Sequence, residues 1–185
     1  TTGCIATASG MAAILMTILS LLKAGDHVVC SQGVFGSTIK LFQDFAKFGI
    51  ETSFVSQTEA SEWRAAMRPN TKLLFAETPN NPLTEVCDIA ALAEIAHQAG
   101  ALFHTDAVQA VGKLPVNMSE SEIDMLSLSG HKLHGPKGIG ALYVRRGVKL
   151  RALVRGGHQE RGRRAGTENA PAIIGLGKAA ELAVQ

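Results

Sequence analysis

Seven short runs of β-branched and apolar residues recur along the chain, and most of them are separated by a longer segment. The runs are CIATAS, HVVCS, ETSFVS, LLFAET, LFHTD, MLSLS and GALYV. Runs of this length and composition predict strands, and most of the intervening segments have the apolar spacing of amphipathic helices. Strand followed by helix, repeated, predicts an α/β fold: a three-layer sandwich whose seven-stranded, mostly parallel sheet is covered by helices on both faces.

Two of the helical segments have recognisable ends. DIAALAEIAHQAG starts with Asp88 as a predicted N-cap and closes on Gly100, and GMAAILMTILSLLKAGDH closes on Gly25. GHKLHGPKGI, between the last two strands, is too short for a crossover helix, so we expect GALYV to pair antiparallel with MLSLS. The Arg- and Gly-rich stretch VRRGVKLRALVRGGHQERGRRAGTEN is interpreted as a long loop before a final helix.

Length and composition predict one domain over residues 1–185, because 185 residues with 46% apolar content suffice for one substantial core. Eighteen Lys and Arg against sixteen Asp and Glu leave a formal charge of +2, too small to indicate a nucleic-acid or membrane-surface partner. The longest apolar stretch, residues 10–22, is interrupted by Thr17 and Ser20 and is shorter than the roughly 20 residues of a bilayer span. It predicts a buried helix.

The three cysteines, Cys4, Cys30 and Cys87, lie far apart and form no CxxC pair. This pattern predicts neither a disulfide framework nor a zinc site, so we expect no metal, buried structural thiols, and a reducing, cytoplasmic location. The sequence starts without Met and stops inside a helical pattern, so we expect it to be truncated at both ends.

Polar residues stand at the ends of several predicted strands. In parallel sheets, binding sites form at the carboxyl ends of the strands, where loops and helix N-termini meet. We therefore expect one site to be built from these strand ends, which carry Ser9, Ser31, Glu77 with the following TPNNPL, Asp106, and Ser129 leading to Lys132.

Three of these strand ends suggest chemistry. The helix that starts at SGMAAIL offers free backbone N–H groups for a phosphate, although a simple N-capped core helix has the same pattern. Asp106 ends an apolar strand, where it either caps a helix or pairs with a cationic ring nitrogen. Lys132 is either a snorkelling lysine or a partly desolvated amine that attacks carbonyls. Together, a phosphate cradle, an acid for a ring nitrogen and an imine-forming lysine match the requirements of pyridoxal phosphate.

The second half of the chain also resembles a known family. SLSGHKLHGPKGIGALYV, with GALFHTDAVQAVGKLPV before it and RGRRAGTENAPAIIGLGKAAELA after it, resembles the cysteine desulfurases, which are fold-type I pyridoxal phosphate enzymes. The resemblance covers roughly residues 100–185.

The first half resembles a different family with the same fold and cofactor. ATASGMAAILMTILSLLKAGDHVVCSQGVFGSTIKLFQDF and ETPNNPLTEVCDIAALAEIAHQAGA resemble the trans-sulfuration enzymes, in particular O-succinylhomoserine sulfhydrylase. The switch in motifs leads to the hypothesis that the chain is a chimera with its seam between about residues 93 and 104.

The trans-sulfuration resemblance implies roles for five residues. Ser9, Gly10 and Met11 would bind the phosphate through the helix N-terminus. Phe35 would lie on the pyridine ring, where many relatives have Tyr, unless it is a plain core aromatic. Asn81 would hydrogen-bond the phenolic oxygen of the cofactor, although an Asn-Pro turn also explains it.

The desulfurase resemblance implies the remaining roles. Asp106 would keep the pyridinium nitrogen protonated and Gln109 would reach the phenolic oxygen. Ser129 and His131 would bind phosphate, unless His131 is only a loop residue, and Lys132 would form the internal aldimine. The resemblance further implies that Thr167 reaches the phosphate of a neighbouring subunit, hence a homodimer, whereas the arginines around it could belong to a solvated or RNA-contacting loop.

The sequence leaves the reaction open. A desulfurase needs a nucleophilic cysteine on a mobile loop and an arginine for the substrate carboxylate, both expected beyond residue 185, so turnover of an amino-acid substrate is doubtful. The first hypothesis is a cofactor-binding core of a sulfur amino-acid enzyme, and the second is an engineered cofactor-domain scaffold that folds and dimerises without catalysis. A nicotinamide-binding fold is disfavoured because GPKGIG precedes a strand and no GxGxxG opens the first helix.

Overall fold

The structure, a computed structural model, describes residues 3–183 as an α/β fold around one sheet. The strands are β1 (Gly3–Thr7), β2 (His27–Ser31), β3 (Glu51–Val55), β4 (Thr71–Glu77), β5 (Leu102–Asp106), β6 (Met125–Ser129) and β7 (Gly140–Val144). Each coincides to within a few residues with one of the seven predicted runs, because apolar and β-branched side chains buried on both faces of a sheet leave a continuous sequence signal.

The sheet order is β1-β7-β6-β5-β4-β2-β3. Strands β6, β5, β4, β2 and β3 run parallel to one another, whereas β7 pairs antiparallel with both β6 and β1. The predicted sheet of seven mostly parallel strands with one antiparallel strand is therefore confirmed, as is the pairing of GALYV with MLSLS.

Five α-helices complete the three layers in the described part of the chain. They are α1 (Gly10–Leu21), α2 (Gly36–Asp44), α3 (Ala60–Ala65), α4 (Ile89–Gln98) and α5 (Ala170–Ala183). One core cluster joins α1 and α2 to one face of the sheet, and a second joins α3 and α4 to the other face. None of the helices within residues 3–183 has the length and apolar character needed to cross a bilayer.

The helix ends agree with the sequence at α4 and differ at α1. The Asp88 carboxylate caps α4 by accepting the Ala91 N–H at 3.0 Å. Helix α1 ends at Leu21, four residues before the predicted Gly25, because the chain leaves helical geometry at Leu22 and Gly25 serves a separate turn with φ +88°. The apolar pattern extends past the end of the helix because Leu22 is buried outside it.

The predicted long loop after β7 is docked against the outer edge of β1. Glu160 Oε1 accepts the Ala6 N–H at 2.7 Å, and Arg164 Nε donates to the Ala6 carbonyl at 3.3 Å. The guanidinium of Arg163 occupies the space that a side chain at Gly3 would need. We call residues 159–164 the edge loop, because its side chains satisfy backbone groups at the open side of β1.

Candidate functional site

A cavity of about 300 Å³ lies at the carboxyl ends of β4, β5 and β6, beside the first turn of α1. We call it the strand-end cavity. Ten of the eleven predicted site residues line it: Ser9, Gly10, Met11, Phe35, Asn81, Asp106, Gln109, Ser129, His131 and Lys132. Residues more than 120 positions apart meet here because parallel strands deliver their carboxyl ends to one edge of the sheet.

The N-terminus of α1 forms one end of the strand-end cavity. Ser9 is the N-cap, and its hydroxyl oxygen accepts the Ala12 N–H at 3.1 Å. The N–H groups of Gly10 and Met11 have no hydrogen-bond partner among residues 3–183. Free N–H groups and the positive end of the helix dipole form an anion-binding site.

Asp106 stands at the end of β5 and is only 6% exposed. Burial raises the pKa of its carboxyl group to about 6, against the opposing effect of the Val108 N–H, which donates to Asp106 Oδ1 at 3.0 Å. This contact caps a turn and not a helix, so the helix N-cap interpretation of Asp106 is wrong. A buried carboxylate with a raised pKa attracts a cationic partner.

Lys132 lies in a short 3-10 turn, Gly130–Leu133, that directly follows β6. The turn is closed by the Gly130 N–H, which donates to the Ile139 carbonyl at 2.9 Å, and a side chain at Gly130 would meet backbone oxygens at 3.1–3.2 Å. Lys132 is half-buried, and its Nζ has no hydrogen-bond or ion-pair partner within the described residues. The amine is thus held in the strand-end cavity but left free.

Three further predicted residues differ in exposure. Phe35 directly precedes α2 and is 48% exposed, so the core-aromatic interpretation is wrong. Asn81 and Gln109 are both half-buried at the cavity wall. Gln109 Oε1 accepts a hydrogen bond from Lys113 Nζ at 3.1 Å, which leaves the NH₂ of its amide as the end without a protein partner among the described residues.

Three residues of the strand-end cavity were given no role from the sequence: Thr38 and Val108, which were not predicted there, and Glu77, which was expected only as one of the strand ends. Glu77 is the most consequential, since its side chain is a carboxylate and only 3% of the residue is exposed. Burial, and next the nearby charge of Asp106, raise its pKa to about 7, whereas the Phe35 N–H and the Lys132 charge oppose the shift. The sequence shows Glu77 at a strand end, but only the fold shows that its carboxylate is buried.

Thr167 lies away from the strand-end cavity in this chain. It is exposed and lines a second cavity of about 360 Å³, together with Leu15, Leu153 and Arg164. Its predicted contact is with another subunit, so the contact stays a prediction.

None of the three cysteines lines the strand-end cavity. Cys30 is buried and Cys87 is half-buried, and burial raises the pKa of Cys87 to about 11. Cys4 is exposed on the edge strand, so the expectation that all three are buried is wrong for Cys4.

The donor set of the strand-end cavity fits pyridoxal phosphate. The free N–H groups of α1 suit a phosphate, the Asp106 carboxylate suits a cationic ring nitrogen, and the Lys132 amine suits an aldehyde. A model of the aminotransferase class-V family matches residues 4–185. The chain belongs to this family. Pyridoxal 5′-phosphate is the cofactor of the family and of its cysteine desulfurase members, which confirms the cofactor expected from the sequence.

Individual relatives within this family point to the desulfurases. The chain is 60% identical over 165 residues to a cysteine desulfurase of Cereibacter sphaeroides, a match that covers 89% of this chain and 40% of the relative. A solved NifS-like protein superposes with a TM-score of 0.89 and 28% identity, over 98% of this chain and 53% of that chain. This class-V chain is therefore a desulfurase-like domain that spans about half, or less, of the length of the proteins it matches.

The likeness to the trans-sulfuration enzymes is weaker. The solved O-acetylhomoserine sulfhydrylase of Wolinella succinogenes superposes with a TM-score of 0.69 and 33% identity, over 80% of this chain and 43% of that chain. Because only 85 residues follow residue 100, at least 80 of the 165 residues matched by the desulfurase lie within residues 1–100. The desulfurase likeness thus extends into the half that the motifs assigned to the trans-sulfuration family.

Proposed function

We propose that this class-V domain is the cofactor-binding core of a sulfur amino-acid enzyme, with pyridoxal phosphate bound covalently through Lys132. The main support for this proposal is that the unpartnered Lys132 amine shares one cavity with the buried Asp106 carboxylate and the free N-terminus of α1. When bound, pyridoxal phosphate supplies an aldehyde for substrate amines and a ring that accepts electrons from the bonds next to the amine.

The phosphate end of the cavity is built from backbone and side-chain donors. The N–H groups of Gly10 and Met11 would bind phosphate oxygens at the positive end of the α1 dipole. The hydroxyls of Ser9 and Ser129 and the ring of His131 would complete the phosphate site. Ser129 is buried, and its hydroxyl has no hydrogen-bond partner among the described residues, which leaves it available to a phosphate.

The ring would be held from its edge and from one face. The Asp106 carboxylate would hold a proton at the ring nitrogen, because a buried anion stabilises a neighbouring cation. The amides of Asn81 and Gln109 would donate to the phenolic oxygen, and the contact of Gln109 Oε1 with Lys113 leaves its NH₂ group available for that hydrogen bond. Phe35 would cover one face of the ring.

Lys132 would have two tasks. Its amine would attach the cofactor, and, once a substrate amine displaces it, Lys132 Nζ would move protons to and from the substrate. The half-buried position of Lys132, without a competing carboxylate within ion-pair distance in the described residues, supports both tasks.

A spectrum with added pyridoxal phosphate tests this proposal. We expect a visible absorption band that borohydride fixes covalently in the wild-type protein and that is lost in Lys132→Ala. Lys137→Ala is the matched control, because Lys137 is exposed in the same loop and does not line the cavity. A folded wild-type protein without a band, or a band that persists in Lys132→Ala, contradicts the proposal.

We further propose that this chain by itself supports at best slow amino-acid chemistry. None of its three cysteines lines the strand-end cavity, so the described residues place no thiol nucleophile beside Lys132. This observation favours a second candidate function, a cofactor-binding scaffold without turnover. Release of sulfide or pyruvate from cysteine or homocysteine, measured with the loaded protein, separates the two: sustained release supports the enzyme, and its absence with an intact band supports the scaffold.

The homodimer is also a proposal. Met11, Leu15 and Leu19 form a stripe of i, i+4 spacing on α1, each 36–37% exposed, and Leu15 borders the cavity that Thr167 lines. An apolar stripe next to Thr167 supports an interface that would carry Thr167 to the partner's phosphate site.

Light scattering after size exclusion tests the dimer. We expect a dimer for the wild-type protein, monomers for Leu15→Asp, and no change for Ile174→Asp, since Ile174 is exposed on α5 and does not line the cavity that Leu15 borders. A monomeric wild-type protein contradicts the proposed dimer.

The remaining proposals concern partners, location and origin. We propose that the chain has no nucleic-acid or membrane partner, because two arginines of the edge loop contact β1. We also propose a cytoplasmic location, which the three free cysteines support. We also propose mixed ancestry with a seam near residues 93–104, for which the support is the switch in motifs between the two halves. The test is the sequence identity of residues 1–93 to each family. We expect higher identity to sulfhydrylases than to desulfurases, and higher identity to desulfurases would contradict the mixed ancestry.

A further inference from the structure

Glu77 is a buried carboxylate whose role the proposed function leaves open. It ends β4 in register with Asp106 at the end of β5, so both side chains leave the same face of the sheet. It lines the strand-end cavity and is 3% exposed. A carboxylate this deeply buried requires a partner, because its desolvation is otherwise costly.

The partner is the backbone of Phe35. Glu77 Oε2 accepts the Phe35 N–H at 2.7 Å, although the two residues lie 42 positions apart in sequence. Phe35 is the N-cap residue of α2 and provides no side-chain cap of its own. The Glu77 carboxylate therefore satisfies the N–H of the N-cap residue, as the glutamate of a capping box does, and its negative charge is favourable at a helix N-terminus.

The segment that leads to Phe35 is held to the end of β4 at a second point. Gln57 Nε2 donates to the Glu77 carbonyl at 2.7 Å, and Gln57 Oε1 accepts from the Ser31 hydroxyl. Ser31 Oγ in turn accepts the Gly33 N–H at 2.9 Å. Residues 31–35 are thus tied to Glu77 through both its backbone and its side chain.

We propose that Glu77 is a positioning residue that sets the Phe35 ring against the cofactor ring by holding residues 31–35 on the end of β4. This inference rests on the proposed function, since it assumes that the cofactor lies in the strand-end cavity. Glu77 acts through Phe35, whereas Asp106 is the carboxylate that meets the ring nitrogen.

A double-mutant cycle tests this role, with cofactor affinity read from the visible band. We expect Glu77→Ala and Phe35→Ala each to weaken pyridoxal phosphate binding by about tenfold. The double variant should be no weaker than Phe35→Ala, because coupled residues are non-additive. Glu77→Gln, which keeps an oxygen acceptor for the Phe35 N–H, should stay within about threefold of wild type.

Further variants test whether the loss of affinity is specific to Glu77 and independent of a folding defect. Glu62→Ala is the matched control, because Glu62 also accepts a backbone N–H, that of Ser56 at 2.8 Å, but lies outside the cavity; it should leave affinity unchanged. Should Glu77→Ala fail to fold, Ser31→Ala loosens the same segment and should weaken binding without adding to Phe35→Ala. Hydrogen exchange of the Phe35 amide in the cofactor-free protein should speed up in either variant.

The outcomes are distinct. The positioning role is overturned if the affinity losses in the double variant are additive, or if Glu77→Gln binds the cofactor as weakly as Glu77→Ala. It is also overturned if Glu77→Ala and Ser31→Ala leave the affinity unchanged, or if exchange of the Phe35 amide does not speed up. Each of these outcomes leaves the cofactor proposal in place. A wild-type protein without a Lys132-dependent band overturns the proposed function and this inference together.

Discussion

At the scale of single residues, the strand-end cavity places two carboxylates and one amine within one small volume. Glu77 and Asp106 both have a raised pKa, caused first by burial, and Lys132 opposes the shift at Glu77. In the cofactor-free protein, Glu77 is therefore partly protonated near pH 7, and Asp106 takes up a proton at about pH 6. A cationic ring nitrogen beside Asp106 would displace the proton from its carboxyl group, so cofactor binding and proton release are coupled there.

Asp106→Asn should weaken pyridoxal phosphate binding by about 10- to 100-fold, because a charge-assisted contact to the ring nitrogen is lost. Since the pKa of Asp106 is about 6, wild-type affinity should also fall as pH drops below about 6, where the carboxylate becomes neutral. Titration of the visible band against pH measures both effects.

The control for Asp106 is Asp88→Asn, which keeps the cap of α4 and lies outside the cavity. It should bind the cofactor as the wild type does and keep the wild-type pH dependence. An Asp106→Asn variant with wild-type affinity at about neutral pH would exclude Asp106 as the partner of the ring nitrogen.

At the scale of elements, the phosphate site depends on how closely β7 approaches the start of α1. A side chain at Gly140, the first residue of β7, would collide with the carbonyl carbon of Ser9 and lie 2.7 Å from the Gly10 nitrogen. Both are backbone atoms and cannot rotate away. The antiparallel strand thus fixes the position of the helix N-terminus that would bind phosphate.

Gly140→Ala should destabilise the protein by about 1–3 kcal/mol and weaken cofactor binding, because the first turn of α1 must move. Urea unfolding and the cofactor spectrum measure the two effects. Gly36→Ala is the control, since a side chain there meets no atom within 4 Å. A Gly140→Ala variant with wild-type stability and affinity would show that the close approach of β7 does not fix the position of the α1 N-terminus.

The sequence predicts elements better than their tertiary contacts. The strands, the antiparallel β7 and the cap at Asp88 follow from the local sequence. The strand ends point to Ser9, Asn81, Asp106, Ser129 and Lys132, and the family resemblances supply the other five predicted residues that line the cavity. Glu77 could not be assigned, because its significance depends on the Phe35 N–H, a contact across 42 positions. The end of α1 was missed because buried Leu22 continues the apolar pattern after the helical backbone has stopped.

At the scale of the whole molecule, stability should depend on pH through two opposing sets of groups. Folded Glu77 and Asp106 have pKa values raised to about 7 and about 6, so their contribution is present below their unfolded pKa values and is lost as pH rises. His104 has its pKa lowered to about 3 by complete burial against Phe75, so its contribution is lost as pH falls.

The double variant Glu77→Gln/Asp106→Asn isolates the carboxylate contribution. The unfolding free energy of the variant relative to the cofactor-free wild type should rise from about pH 4 to about pH 7 and then level off. Each unit of raised pKa corresponds to about 1.4 kcal/mol. Urea unfolding across this range measures the difference, and a difference that is constant or falls with pH would contradict the raised pKa values.

The edge loop affects whether the open side of the sheet can pair with a strand of another molecule. An uncovered outer strand offers a template on which the strand of another chain can extend the sheet. Glu160 and Arg164 occupy the N–H and the carbonyl of Ala6 with side chains, which cannot propagate a ladder, and Arg163 fills the space over Gly3. We therefore expect the edge loop to hinder intermolecular β-sheet growth at β1, and a proteolytic cut within residues 159–164 to increase aggregation.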